Sequence, residues 1–178
     1  AEEEIPVAPA EGFQLFLDTF YNRLENRFRG SSEDILNRLR VYQSDVEAAA
    51  IRTGGKPALD LGCGRGEWLQ LMRTLDVPAC GVDLNPAQLA EAREAGLDVE
   101  EKDACSALQT SDDDSFSVVS AHHLIEHIPF RDVAWIVRES QRVLAPGGIL
   151  IFETPNPRNV LVGATSFHND PTHLRPLT

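Results

Sequence analysis

The chain has 178 residues, 42% hydrophobic and 25% charged, which excludes a disordered or fibrous chain and fits one ordinary soluble domain. Its 28 acidic and 16 basic side chains leave a formal charge of -12, a field that repels a phosphate backbone and argues against nucleic acid as a partner. No apolar run is long enough to span a bilayer and no basic-then-apolar leader opens the chain, so the cytoplasm is the expected location.

Residues 1–11 are acidic and proline-bearing and read as a flexible lead-in. Phe13, Phe16, Leu17, Phe20, Leu24 and Phe28 recur at helical spacing as far as Gly30. Ser31-x-x-Asp34 resembles a capping box, and Ile35, Leu36, Leu39, Tyr42 and Val46 carry a second helix toward Thr53-Gly54-Gly55. Residues 12–55 therefore form an N-terminal helical cap, and residues 56–178 the ligand-binding core.

After Pro57, short apolar runs alternate with helical stretches: Ala58 to Leu61, Glu67 to Leu75, Ala79 to Val82, Pro86 to Ala95. That alternation predicts an α/β fold, a mostly parallel, Rossmann-like sheet with helices on both faces. Leu97 to Val99 is the third predicted strand. Phe116 to Ser120 is the fourth, reached through an acidic loop containing Asp112-Asp113-Asp114. Val133 to Leu144 predicts a helix stopped by Pro146-Gly147-Gly148, and Ile149 to Phe152 a fifth strand. The only methionine is Met72 and no apolar run follows Leu161-Val162, so the chain reads as an excised piece, truncated after the fifth strand. Cys63, Cys80 and Cys105 are odd in number and form no Cys-x-x-Cys pair; small buried hydrophobes are expected rather than a disulfide or thiolate metal site.

Gly62, Gly64 and Gly66 sit where the first strand hands over to a helix, where a backbone without side chains turns sharply and a ligand comes close. A dinucleotide loop wants glycine where Glu67 stands, and a pyrophosphate would face both Asp60 and Glu67. A cationic ligand bearing an ammonium and a sulfonium suits Asp60 better, which points to S-adenosyl-L-methionine and its product S-adenosyl-L-homocysteine. A nicotinamide oxidoreductase is disfavoured by Glu67 and by the lack of hydride-relay residues.

Asp60-x-Gly62-x-Gly64-x-Gly66 resembles motif I of the class I S-adenosylmethionine-dependent methyltransferases. The resemblance implies a cofactor site made of Asp60, Gly62, Cys63, Gly64, Asp83, Leu84, Asp103, Ala104 and His122. Asp83, at the end of the second strand, is where such an acid reaches ribose hydroxyls, and Asp103-Ala104 stands where the family takes the adenine amino group. Arg142-Val143-Leu144-x-Pro146-Gly147-Gly148 is likewise a frequent phrase before the fifth strand of these enzymes.

His122-His123-Leu124-Ile125-Glu126-His127 follows the fourth strand, at the carboxyl edge where open α/β sheets bind ligands. His123-x-x-Glu126-His127 matches a zinc-peptidase signature, but that chemistry needs a sustained helix, and Pro129 with a preceding strand argues against one. Catalytic candidates are His122, His127 and His173 as general bases, because a sugar hydroxyl is a poor nucleophile at neutral pH. Tyr21 is a candidate hydrogen-bond donor or pocket lid, and Arg29 and Arg175 are candidate clamps for a phosphate or other acceptor. His168, Asp170 and His173 read as loop-ordering, and no metal site is expected.

Phe20-Tyr21-x-x-Leu24-Glu25-x-x-Phe28-Arg29-Gly30-Ser31, Glu153-Thr154-Pro155-Asn156-Pro157-x-Asn159 and Asp170-Pro171-Thr172-His173-x-Arg175-Pro176 look like phrases of methyltransferase domains of bacterial surface-polysaccharide enzymes, including O-antigen chain terminators. That resemblance implies O-methylation of a glycan or sugar-phosphate acceptor. A small-molecule methyltransferase of another pathway and a non-catalytic binding module remain as alternatives.

Overall fold

The computed structural model describes residues 12, 13, 16, 30–163, 167–170 and 172–177. Tyr21, Leu24 and Arg29 lie outside them. Helix α1 spans Ser32–Leu39, and Ser31 caps it as the sequence suggested: its Oγ accepts from the Asp34 amide at 3.2 Å, while the Asp34 carboxylate takes the Ser31 hydroxyl at 2.7 Å, so half of a capping box is formed. A 3-10 turn, Arg40–Tyr42, separates α1 from α2, Gln43–Arg52, so the second predicted helix is broken in two.

Strand β1 (Ala58–Leu61) leads into α3 (Glu67–Thr74), then β2 (Ala79–Asp83), α4 (Pro86–Glu94), β3 (Val99–Glu101) and α5 (Ala104–Thr110). Strand β4 (Phe116–His122) is followed by a 3-10 turn (Ile125–His127), α6 (Phe130–Val143) and β5 (Leu144–Glu153). The sheet order is β3-β2-β1-β4-β5 with every pairing parallel, so β1 and β4 are central and their carboxyl ends adjoin.

Alternate strand residues enter opposite layers, as the two-residue period of a strand requires. Leu59, Leu61, Val119 and Ala121 pack with Leu108, Val133, Ile136 and Val143 of α5 and α6. Ala58 and Val118 pack instead with Leu39, Val46, Ala49, Trp68, Leu71 and Met72 of α1 to α3. Both faces of β1 are buried, which is why it reads as a continuous apolar run interrupted only by Asp60.

Three boundaries differ from the sequence reading. The third strand begins at Val99, not Leu97, because Gly96 turns with φ +70° and Leu97 packs inward beside Leu69 and Leu89. Residues 104–110 form a helix where only an acidic connection was expected; it has two fully enclosed apolar residues, Ala107 and Leu108, too few to print a stripe. Finally α6 stops at Val143, and β5 runs through Pro146-Gly147-Gly148 as an irregular stretch, Leu144 pairing with Phe116 before the register shifts. The cysteines are free, with Cys63 buried and the other two half-buried. Among the described residues, no helix is long and apolar enough to cross a membrane.

Candidate functional site

The carboxyl ends of β1, β2 and β4 meet over the glycine turn. Gly62 adopts φ +72°, a conformation that L side chains avoid, and a Cβ there would stand 3.2 Å from the Leu124 side chain on the turn after β4. Gly62 and Cys63 both donate their amides to the Val82 carbonyl, at 2.8 and 2.9 Å, which folds the loop back across the end of β2. Asp83 completes the cradle. Its Oδ2 accepts from the Gly64 amide at 2.9 Å and its Oδ1 from the Asn85 amide at 2.8 Å, so the carboxylate is fixed with its remaining lone pairs available. Leu84, next to it, is two-thirds exposed, an apolar face beside the cradle. Burial, reinforced by the charges of Asp60 and Asp83, pushes the Cys63 thiol far up, so this loop residue is a packing group and not a thiolate.

Asp60 is buried, accepts from Ser120 Oγ at 2.7 Å, and lies 3.6 Å from His122 Nδ1. The carboxylate therefore faces the strand end where a cation would sit. The His122 ring, at the last position of β4, lies 4.6 Å from the Trp68 ring and 6.0 Å from that of Tyr42. Both His122 nitrogens and Trp68 Nε1 are buried without a hydrogen-bond partner. Unmatched buried polar atoms are expensive in a finished core and are ordinary beside a ligand that supplies the partners. The cradle, the buried acid and these orphaned nitrogens fit a nucleoside that carries an amino acid and a sulfonium.

Asp103 spends Oδ1 on the Ser106 amide at 2.9 Å as the N-cap of α5, and those bonds to Ser106 hold its carboxyl below the usual range. Ala104 follows in the first turn of α5 and packs against the core. His127 and His173 come together, ring centroids 4.7 Å apart, although 46 positions separate them in the chain. Arg175 is exposed.

Sequence reasoning assigned no role to Tyr42, Trp68 or Glu153, and the structure joins them to the histidines. Tyr42 donates to Glu153 Oε2 at 2.7 Å, tying the turn after α1 to the end of β5. His123, held at φ +56°, places Nε2 3.4 Å from Glu153 and Nδ1 3.3 Å from buried Glu126. Only the pairing of β4 with β5, which sets His122 opposite Glu153, makes this cluster, so no local pattern announced it.

The His123 hydrogen bond, opposed by burial and helped by the Tyr42 hydroxyl, holds the Glu153 carboxyl down at about 2. Its folded pKa is below its unfolded one, so the stabilisation is complete above about pH 4.5 and disappears as pH falls toward 2. Because 37% of this side chain is exposed, screening cuts the contribution to about 1 kcal/mol. Chemical denaturation of Glu153→Gln should therefore show a loss of about 1 kcal/mol at pH 7 that closes by about pH 2. A deficit independent of pH would show that the carboxylate charge contributes nothing.

The family model for a methyltransferase domain matches residues 33–173. Ubiquinone biosynthesis O-methyltransferase of Pseudomonas putida (strain GB-1) is 32% identical over 149 residues, 81% of this chain and 61% of the relative. This chain spans 52% to 61% of the length of the first curated relatives it matches. The crystal structure of a SAM dependent methyltransferase from Archaeoglobus fulgidus is similar with a TM-score of 0.80 at 30% identity, covering 89% of this chain and 68% of that one. A Thermotoga maritima structure described as a possible histamine N-methyltransferase shares the fold, with a TM-score of 0.61 at 20% identity over 90% of this chain and 72% of its own. The chain belongs to the methyltransferase-domain family and has the fold of the class I S-adenosylmethionine-dependent methyltransferases, with S-adenosylmethionine as its cofactor.

Proposed function

We propose that this domain transfers a methyl group from S-adenosylmethionine to an acceptor oxygen, with Asp83 binding the ribose hydroxyls, Asp60 facing the cationic end of the donor and His122 acting as general base. The observation that carries this reading is the His122 ring at the carboxyl end of β4: both nitrogens are buried without a hydrogen-bond partner, and Nδ1 lies 3.6 Å from Asp60 Oδ1. The donor supplies an activated methyl group, and displacement is in line, so the protein's contribution is positioning and removal of the hydroxyl proton. The His122 imidazole, beside Asp60, is the group placed to take that proton. Leu84 offers an apolar surface to the adenine and Asp103 its second carboxylate oxygen to the exocyclic amine. His127 and His173, expected as bases, have Nδ1 committed to other partners. Tyr21 keeps its assignment as donor or lid, in the cytoplasmic enzyme this reading describes.

The terminal phrases favour a glycan or sugar-phosphate acceptor from surface-polysaccharide synthesis. The names of the curated relatives, O-methyltransferases of ubiquinone biosynthesis, favour a second reading, a small-molecule acceptor. Labelled donor offered with sugar primers, phosphosugars and catechols separates them: transfer to sugars supports the first, transfer to phenols alone the second. His122→Ala should lower kcat about a hundredfold while S-adenosylhomocysteine affinity changes little. An unchanged kcat removes His122 as the base, and transfer to none of the acceptors favours a binding module.

A further inference from the structure

Glu126, His127 and His173 each place one ligand-type atom within 4.8 Å of the other two. Glu126 is fully buried, and its Oε2 has no hydrogen-bond partner. The tautomers of the two imidazoles follow from their neighbours. Thr172 Oγ1 donates to Asp170 at 2.6 Å, so at 2.8 Å it can only accept from His127 Nδ1. His173 Nδ1 lies 2.7 Å from the Phe167 carbonyl, which also only accepts. Both protons sit on Nδ1, and both Nε2 atoms carry lone pairs in the neutral rings. An orienting partner on the distal nitrogen is the usual arrangement behind a metal-bound histidine.

We propose that Glu126, His127 and His173 bind a divalent first-row transition ion such as zinc, which fastens the segment carrying His173 to the turn after β4. Two imidazoles and one carboxylate suit such an ion better than magnesium or calcium, which prefer an all-oxygen shell. Contraction by up to about 1.5 Å brings the three atoms to the spacing of a tetrahedral zinc site, whose bonds are about 2.0–2.2 Å. The same segment is already docked there: Leu174 donates its amide to the Glu126 carbonyl at 2.8 Å, and the ring of buried Phe167 lies 4.5 Å from that of His173, tilted by 41°. Closure of that strap, not the methyl transfer itself, is the role assigned to the ion. Asp170 Oδ2, 3.8 Å from His173 Nε2, is the nearby carboxylate able to enter the shell.

The test uses the protein stripped with a chelator and titrated with zinc, magnesium and cobalt. Stoichiometric zinc uptake, a higher melting temperature and a tetrahedral cobalt absorption band are expected, with no response to magnesium. Binding should weaken at least tenfold in Glu126→Gln, His173→Gln and Thr172→Val, the last removing only the support of His127, and should be unchanged in His168→Gln. No zinc uptake by the wild-type chain, which would mean that a proton bridges the three groups, overturns the proposal. So does uptake unaffected by the Glu126 and His173 substitutions. S-adenosylhomocysteine affinity, measured on the same samples, keeps this outcome separate from the methyl-transfer reading.

Discussion

Asp83→Asn binds S-adenosylhomocysteine about a hundredfold more weakly than the unsubstituted chain, close to 2.7 kcal/mol, in isothermal calorimetry. The affinity loss is that of the proposed charge-assisted ribose contact, and a separate loss falls on the stability of the free protein. In the folded protein, Oδ1 and Oδ2 each accept a backbone amide, from Asn85 and Gly64 respectively. An amide side chain has one acceptor oxygen, so its NH2 group must face one of those N–H donors, and a partly buried donor left unmatched costs about 1–3 kcal/mol. On the proposed ribose role of Asp83, the charge-assisted acceptance of a hydroxyl, worth about 1.5–3 kcal/mol, is weakened, and this sets the affinity change. The melting temperature distinguishes the two, since the unmatched amide destabilises the free protein and the lost hydroxyl contact does not. Affinity within threefold of the starting value would remove Asp83 from the ribose site.

Gly81→Ala should cost about 3 kcal/mol of stability, which for a chain of this size lowers the melting temperature by roughly 6–12 °C. Gly81 lies on β2 behind the glycine turn, where a Cβ would stand 2.6 Å from Cys63 Cβ, 2.8 Å from its Sγ and 2.9 Å from Leu69 Cδ1. Leu69 can change rotamer, but Cys63 Cβ moves only with its backbone, which two bonds to the Val82 carbonyl hold in place. The donor loop is displaced and donor affinity falls with stability. Cys63→Gly in the same chain removes the obstructing atom and should restore part of both. A double variant no more stable than Gly81→Ala would place the strain elsewhere.

The donor half of the site was legible because its constraints are local. A left-handed turn between strand and helix admits little but glycine, and an acid at the end of β2 stands a fixed distance from it. Asp103 shows the limit of that logic: it follows β3 as expected, but the N-capping duty it performs comes from a seven-residue helix that prints no stripe. The cluster around the histidines was not legible for a different reason. Tyr42 and Glu153 are 111 positions apart, and His127 and Thr172 45. Strand order and the return of the final segment bring them together, and neither leaves a periodic trace in the sequence. The His-x-x-Glu-His phrase was seen, and its rejection as a helical zinc motif agrees with the observed 3-10 turn. Its actual geometry, with Glu126 enclosed and His123 in a left-handed conformation, follows from tertiary packing.

Leu124 fills the space that a side chain at Gly62 would need, so the turn carrying the histidines and the loop cradling the donor share one wall. Diversification of acceptor preference by substitutions in residues 122–127 is consequently not modular. A larger residue at 124 presses directly on the glycine, and a smaller one leaves a void behind the donor's backbone contacts. Libraries aimed at new acceptors would do well to hold Leu124 constant and vary its neighbours, since a gain in acceptor fit obtained there is returned as weaker grip on the methyl donor.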